Sequence, residues 1–195
     1  MPPTLEPART ALLSMDLQAA LVSIYLKDRA GEFLHRVAET HARARTAGLH
    51  VIHVRVGFRP GLPEVSERNT LFAAVKQSAQ HQKLFSGPTG EIHPAVAPQE
   101  GEVVVTKSRV SAFSGTDLGL VLRASGIDTL VLSGIATSGV VLSTLLEASD
   151  ADYRLFVVED CCADLDVELH GALVARLFPG RATVLSSAGF AALVA

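Results

Sequence analysis

Short apolar runs alternate along the chain with longer segments of helical periodicity. The short runs are typical of strands, because they are rich in β-branched residues and bounded by Gly, Pro or charged residues. Strands are predicted at Thr10–Met15, 49–56, 102–106, 128–133, 154–158 and 182–185. Helices are predicted at 33–46, 69–80, 116–124, 138–149 and 167–178, with Thr116 as a candidate N-cap. The segments 58–66 and 86–101 are rich in Pro and Gly and are predicted to be loops.

The predicted strands are continuous apolar runs and do not alternate between apolar and polar positions. This pattern is typical of parallel strands that helices cover on both faces. We therefore predict an α/β fold with three layers (α/β/α) and a doubly wound, mainly parallel, Rossmann-like sheet. No internal repeat or polar linker divides the sequence, so residues 1–195 are predicted to form a single domain.

The segment 129–146 has no charged residue over 18 positions, the length at which a membrane span becomes a candidate. It also contains Gly134, Gly139 and six Ser or Thr residues. We therefore interpret it as a strand, a turn and a buried helix.

The composition excludes several classes of protein and of binding partner. The 195 residues include 17 Lys or Arg and 20 Asp or Glu, a net charge of −3, with 48% hydrophobic residues. This balance excludes a disordered chain and argues against nucleic-acid or anionic membrane partners. The two cysteines, Cys161 and Cys162, are adjacent, which fits neither a disulfide framework nor a zinc site. The N-terminus has no signal-peptide pattern, and a cytoplasmic location is predicted.

Polar residues follow several of the predicted strands, where open α/β sheets bind their ligands. Asp16 and Gln18 follow the first strand, Lys107 the third, and the pair 159–160 the fifth. Taken singly, Asp16 is interpreted as a helix N-cap and Lys107 as a surface lysine. Taken together, an acid and a lysine at two strand ends suggest a charge pair in one crevice.

The turn 134–140 leads from a predicted strand directly into a helix. Its backbone N–H groups are suited to hold an anion or a developing oxyanion. The alternative is an ordinary strand–helix turn capped by Thr137 or Ser138. The chain has neither the Gly-rich dinucleotide fingerprint nor a Walker lysine motif, which argues against a nucleotide site.

Four segments, in this order and spacing, carry a family resemblance. They are MDLQ at 15–18, VVVTKSRVSAF at 103–113, GIATSGVVLST at 134–144 and YRLFVVEDCCAD at 153–164. With them the chain resembles the isochorismatase-like superfamily, also called the cysteine hydrolases, over about residues 9–186. This superfamily includes nicotinamidases, N-carbamoyl amidohydrolases and isochorismatases.

The resemblance implies roles for particular residues. Asp16 and Lys107 match the catalytic aspartate and lysine, and the N–H groups of Ala136 and Val140 match those that polarise the substrate. A cis peptide is implied between Ile135 and Ala136. The implied substrate-binding residues are Gln18, Phe113, Ala136, Thr137, Ser138 and Gly139.

The chain departs from the resemblance at the nucleophile. Val140 occupies the usual cysteine position, and Thr144 fixes this register. A shift by one residue would place Gly139 or Val141 there, so neither alternative supplies a thiol. Because valine forms no covalent intermediate, the sequence predicts a branch that lacks the nucleophilic cysteine.

Other residues are weak replacements for that nucleophile. We expect Cys161 and Cys162 to be buried small hydrophobes, with thiol pKa values raised by neighbouring carboxylates. Ser138 has no predicted histidine partner, because the histidines considered are interpreted as packing or surface residues. They are His50, His53 and His93.

The resemblance also bears on metals, cofactors and partners. Nicotinamidases carry an Asp-x-His pattern after the second strand, whereas the loop GFRPGLPEVSERN has no histidine. We therefore predict no catalytic metal and no cofactor. The implied partners are a small-molecule substrate and further copies of the chain, as a dimer or tetramer. Phe190, Leu193 and Val194 are placed either at such a contact or within the domain.

Three functions remain open at this point. The first is a hydrolase that uses Asp16 as a proton carrier, as isochorismatases do when they cleave a vinyl ether without a cysteine. Because Lys107 favours the ionised acid, this role requires burial to offset the lysine. The second is a degenerate enzyme that binds a small ligand or a protein partner, which Val140 favours. The third is an amidase with a relocated nucleophile.

Overall fold

Six strands pair in parallel within residues 5–195, the part of the chain that this computed structural model describes. Their order in the sheet is β3-β2-β1-β4-β5-β6. The strands are β1 (Thr10–Met15), β2 (His50–Val56), β3 (Val103–Lys107), β4 (Thr129–Ile135), β5 (Arg154–Ala163) and β6 (Thr183–Leu185). The predicted doubly wound α/β architecture is confirmed.

Helices cover both faces of this sheet and complete three layers. The α-helices are α1 (Ala19–Leu26), α2 (Ala30–Thr46), α3 (Thr70–Lys76), α4 (Ala79–Lys83), α5 (Gly87–Gly90), α6 (Leu118–Ala124), α7 (Leu142–Asp150), α8 (Val167–Ala172) and α9 (Ser187–Leu193). Helices α1, α2 and α9 pack on one face. Helices α6 and α7 pack on the other, together with the turn Leu173–Leu177 that follows α8.

The two-sided burial explains the continuous apolar runs. In β1, Leu12 packs under α1 and α2, whereas Leu13 packs under α6 and α7, and both side chains are fully buried. The strand order reverses between β1 and β4, so a crevice opens at their carboxyl ends. The segment 129–146 forms β4, the following turn and most of α7, as predicted. Within the described residues, no helix is long and apolar enough to cross a membrane.

The fifth strand is longer than predicted. β5 continues beyond Val158 to Ala163, so Cys161 and Cys162 lie inside the strand. A register shift relative to β4, between Leu132 and Gly134, lets β5 resume its pairing after the charged residues 159 and 160. The predicted end at Val158 was wrong because the polar pair at this irregularity resembled a strand terminus.

Other element boundaries also differ from the predictions. The predicted helix 69–80 is divided into α3 and α4, because the Ser78 side chain caps a new helix by accepting the His81 N–H. The predicted loop 86–101 contains the single-turn helix α5 and a 3-10 turn at Pro94–Val96. Helix α6 begins at Leu118, with Asp117 at the N-cap, although the Thr116 hydroxyl does accept the Leu118 N–H.

Helix α9 resolves the two alternatives for the C-terminal apolar residues. Phe190 is fully buried, and Leu193 and Val194 pack against the same cluster beneath α2. These side chains are therefore part of the domain's own core.

Gly134 allows β4 to approach β1 beside the crevice. Its φ angle of 144° is one that other residues rarely adopt, and an added Cβ would collide with the Met15 carbonyl oxygen. We expect Gly134→Ala to lower the free energy of unfolding by roughly 3–5 kcal/mol, measured by chemical denaturation. Gly171→Ala in α8, where a Cβ has open space, is the matched control. Equal stability of the two variants would contradict the prediction.

Two buried histidines make stability depend on pH. His41 and His53 are fully buried, and within residues 5–195 neither ring nitrogen of His41 has a hydrogen-bond partner. His53 Nε2 lies 3.0 Å from Glu102, which Arg45 also binds. Burial lowers the pKa of His41 to about 3 and also lowers that of His53.

Acid should therefore destabilise the fold. Below about pH 6.5 the unfolded chain binds a proton at His41 that the folded chain excludes, so stability falls as the pH falls. By about pH 4.5 this one group costs about 3 kcal/mol. We expect His41→Phe to flatten the dependence of unfolding free energy on pH between about 6.5 and 4.5, whereas His35→Phe at an exposed position of α2 leaves it unchanged. The same slope in wild type and His41→Phe would refute this account.

Candidate active site

Asp16 and Lys107 meet at the carboxyl ends of β1 and β3. The Lys107 Nζ lies 2.8 Å from Asp16 Oδ2, and Lys107 and Asp16 are only 2% and 5% exposed. Asp16 turns out of β1 with a φ of 58°, while its N–H still donates to the Val54 carbonyl. The structure thus brings together the two residues that the strand ends suggested as a charge pair.

Burial and Lys107 have opposing effects on the pKa of Asp16. Burial raises the pKa of Asp16, and this effect is larger than the opposing attraction of Lys107. Asp16 Oδ1 is buried and has no hydrogen-bond partner within the described residues. Lys107 also donates to the Arg109 carbonyl at 3.0 Å. The pKa of Asp16 is thus shifted in the direction that the predicted acid role requires.

The turn after β4 has an unusual backbone. The Ile135–Ala136 peptide is cis, as the resemblance implied, and the N–H groups of Gly139 and Val141 both donate to the Ala136 carbonyl. Val140 is 2% exposed and belongs to the core cluster beneath α7. One turn further on, the Thr144 hydroxyl accepts the Ala112 N–H at 3.0 Å, which joins the turn to the segment after β3.

The other predicted site residues differ in accessibility. Ala136, Ser138, Gly139 and Phe113 are partly exposed, whereas Thr137 and Gln18 are fully buried. The Gln18 amide donates to the carbonyls of Val56 and Gly90 and accepts the Val56 N–H. These contacts favour a role for Gln18 in fixing the walls of the crevice over direct binding of substrate.

A comparison with known families identifies the domain. The Isochorismatase domain family matches residues 10–189, which includes all the residues of this site. The chain belongs to the isochorismatase family.

Relatives of this isochorismatase-family chain include amidohydrolases. It is 34% identical to a maleamate amidohydrolase from Pseudomonas putida over 67% of this chain and 60% of that protein. It is 33% identical to a ureidoacrylate amidohydrolase from Methylobacterium radiotolerans over 90% of this chain and 76% of that protein. An isochorismatase family protein from Burkholderia thailandensis has the same fold, with a TM-score of 0.86, 31% identity and 98% of each chain covered. The chain spans less than two thirds of the maleamate amidohydrolase.

Two polar residues at this site were missed by the sequence analysis. The Ser138 N–H donates to Asp164 Oδ2 at 2.7 Å, and Thr137 Oγ1 lies 2.8 Å from His170 Nδ1. The sequence analysis assigned no histidine to this turn, because His170 is remote in the sequence. One feature could have indicated it: His170 lies on the helix after β5, and β5 pairs with β4, the strand that leads into this turn.

Tyr25 is a third residue that was missed. It lies on α1, and it packs with Ala136 against the same core cluster. Burial and the negative charges of Asp164 and Asp16 raise the pKa of Tyr25, so its hydroxyl remains protonated at neutral pH. Tyr25 therefore offers a hydrogen-bond donor near both carboxylates.

The two cysteines are poorly suited to nucleophilic chemistry. Both are buried in β5, and the Cys161 thiol lies 3.3 Å from the Thr40 hydroxyl. Burial raises the pKa of Cys161 to about 12, with a smaller contribution from Asp160, and raises that of Cys162 as well. Burial, rather than the neighbouring carboxylates, is thus the main cause of the raised pKa values.

A cavity of about 260 Å³ lies between α1, α2 and α8 at the end of β5. Asp164 and His170 are among its lining residues, along with Arg36 and Glu159. Among residues 5–195, no group of three or more His, Cys, Asp or Glu side chains is arranged to hold a metal ion. The predicted absence of a metal and of a cofactor stays a prediction.

Proposed function

We propose that this chain is a hydrolase of a small polar molecule that works through Asp16 and Lys107 without a covalent cysteine intermediate. The observation that carries the proposal is the buried Asp16–Lys107 pair, in which burial raises the pKa of the acid. Val140, at the position of the family's nucleophile, supports the absence of a covalent step, because its side chain is apolar and packed in the core.

The proposed reaction needs one acid and one water. Protonated Asp16 donates its proton to the substrate fragment that leaves, and water supplies the hydroxyl that joins the other fragment. The remaining proton of that water returns to the Asp16 carboxylate, so the enzyme is regenerated. Lys107 holds Asp16 in place and offers an N–H group to an anionic part of the substrate. A positioned acid of this kind accelerates a reaction by about a hundred- to ten-thousand-fold.

The relatives suggest which bonds to test. Two of them are named for the hydrolysis of maleamate and of ureidoacrylate. The panel therefore contains these two compounds together with isochorismate, nicotinamide and N-carbamoyl amino acids. The last three represent the vinyl-ether, aromatic amide and carbamoyl bonds that the family resemblance implies.

Wild-type protein should turn over at least one compound of this panel, and iodoacetamide should leave the rate unchanged. Cys161 and Cys162 are the only thiols in the sequence, and burial raises both pKa values. Inactivation that parallels alkylation would contradict the proposal and would revive an amidase with a relocated nucleophile.

A ligand-binding protein is the second candidate, and Val140 is the observation that favours it, because a binding site needs no nucleophile. Absence of turnover on the whole panel, combined with saturable binding of one compound by calorimetry, would establish this function instead. The intact Asp16–Lys107 pair favours the enzyme, because a binding site alone does not need a buried acid with a raised pKa.

The proposal also includes a homo-oligomer, as the resemblance implies, and a cytoplasmic location, as the cysteine usage and the N-terminal sequence predict. Exposed apolar side chains on and before α8 are available for a contact between copies of the chain. They are Leu165, Val167 and Leu169. Sedimentation equilibrium of the purified protein should give a dimer or tetramer, and a monomer at all concentrations would remove this part of the proposal.

A further inference from the structure

The segment that follows β5 contacts the turn after β4 at two consecutive residues. Asp164 accepts the Ser138 N–H at 2.7 Å, and His170, on α8, lies 2.8 Å from the Thr137 hydroxyl. We refer to Asp164 and His170 as the clamp. Thr137 and Ser138 lie between the Ile135–Ala136 peptide and Val140, so the clamp acts on the middle of the turn.

We propose that Asp164 and His170 are positioning residues of the active site, which hold the turn so that position 140 and its N–H groups face Asp16. This inference rests on the proposed function, because it concerns the same site. It adds Asp164, which directly follows β5, and His170 on α8, and both lie outside the positions where the catalytic roles are implied.

Asp164 is buried, and its carboxylate is held by hydrogen bonds on both oxygens. The residue is 7% exposed, and both carboxylate oxygens are used: Oδ2 accepts the Ser138 N–H, and Oδ1 accepts the Asp166 N–H at 3.3 Å. A hydrogen bond from a backbone N–H to an ionised carboxylate is stronger than one between neutral groups. Because Asp164 accepts the Ser138 N–H, that group is not available to a ligand, and the backbone at Ser138 is tied to the segment after β5.

The contact of His170 fixes the preceding residue. Thr137 is fully buried, so its hydroxyl depends on a protein partner, and His170 supplies it. Helix α8 has no buried residue of its own, so the hydrogen bond from His170 is a specific contact of this helix with the turn. The backbone at Gly139 (φ −98°, ψ −106°) is not helical, so the contacts of Asp164 and His170 add to the backbone hydrogen bonds within an irregular turn.

The test uses a reporter thiol that needs no substrate. Val140→Cys places a thiol at the position that the clamp is inferred to hold, and its alkylation by iodoacetamide is followed from about pH 6 to 10. Wild type supplies the background from Cys161 and Cys162. Position 140 is only 2% exposed, so a turn released from the clamp should expose the thiol. In the Val140→Cys protein, His170→Ala and Asp164→Ala should each speed alkylation at about pH 7 by about tenfold and lower its pH midpoint by about one unit.

Matched variants separate positioning from stability. His170→Asn retains a hydrogen-bonding atom at the Nδ1 position and should return the alkylation rate most of the way to that of the Val140→Cys protein. Thr137→Val removes the same contact from the other side, so the double variant with His170→Ala should be no faster than either single one. Ser186→Ala removes the N-cap of α9, lowers stability at a distance, and should leave alkylation unchanged.

The proposal would be overturned if every folded clamp variant is alkylated at a rate within about twofold of that of the Val140→Cys protein, with the same pH midpoint. Additive effects of Thr137→Val and His170→Ala, or the same change in alkylation rate in Ser186→Ala, would also overturn it. The outcome is independent of the proposed function, because alkylation requires no turnover. An inactive wild-type protein with a clamp-dependent thiol would refute the hydrolase and retain the clamp.

Discussion

Asp16→Asn is expected to lose about a hundred- to ten-thousand-fold of the turnover number of whichever panel compound the wild type hydrolyses. The asparagine preserves the shape of the side chain but has no proton to donate to a leaving fragment. Initial rates at saturating substrate measure the effect, and Asp150→Asn, an exposed change at the end of α7, is the matched control. Retention of more than about a tenth of the wild-type rate would rule out Asp16 as the proton carrier.

Folding must be separated from chemistry in this experiment. Asp16→Asn leaves Lys107 buried without its anionic partner, and breaking a buried ion pair costs about 3–5 kcal/mol. The double variant Asp16→Asn with Lys107→Met removes both charges and should recover much of that stability. It should remain inactive, so a stable and inactive double variant assigns the loss to chemistry.

The pH dependence of the wild type follows from the same residue. Burial raises the pKa of Asp16, and the acid must be protonated to act. The turnover number should therefore fall as the pH rises through this raised pKa, and Asp16→Asn should abolish the dependence. A rate that rises over the same range would indicate that Asp16 acts as a base.

Val140→Cys is expected to add a thiol-dependent amidase activity, with at least about a hundredfold faster release of ammonia from maleamate or ureidoacrylate. The new thiol would stand on the turn after β4, the strand next to β1, and Asp16 at the end of β1 is expected to act as its base. The gain comes from a covalent route. With maleamate, the thiol attacks the amide carbon, ammonia leaves, and water cleaves the thioester to the acid and the free thiol. With ureidoacrylate, the thiol attacks the carbamoyl carbon, aminoacrylate leaves, and water cleaves the thiocarbamate to carbamate, which decomposes to ammonia and carbon dioxide.

Two controls test whether the new activity depends on the thiol. Val140→Ala tests whether added space alone changes the rate, and iodoacetamide should abolish the activity of Val140→Cys while sparing the wild type. A trapped acyl adduct on the thiol introduced at position 140 should be visible by intact-protein mass spectrometry. If the alanine variant gains as much as the cysteine variant, the activity does not depend on a nucleophile at this position.

The fold followed from the sequence to a large extent, because burial on both faces of a sheet leaves a clear pattern. The apolar runs of β1 and β4 predicted buried parallel strands, and the charge-free segment 129–146 was correctly divided into strand, turn and helix. The true end of β5 was missed, because a strand irregularity carries the same polar residues as a strand terminus.

The candidate site, too, was predicted only in part from the sequence. The sequence by itself determined that Asp16 and Lys107 lie at the ends of strands, that Val140 stands in the turn after β4, and which family the four segments resemble. Only the tertiary structure decided that burial outweighs Lys107 at Asp16, since desolvation depends on every element packed around the carboxyl group. The tertiary structure also brought Asp164 and His170 to the turn, since parallel pairing of β4 with β5 makes neighbours of residues 26 to 33 positions apart. No local pattern records such a distance, because it is set by the order of strands in the sheet.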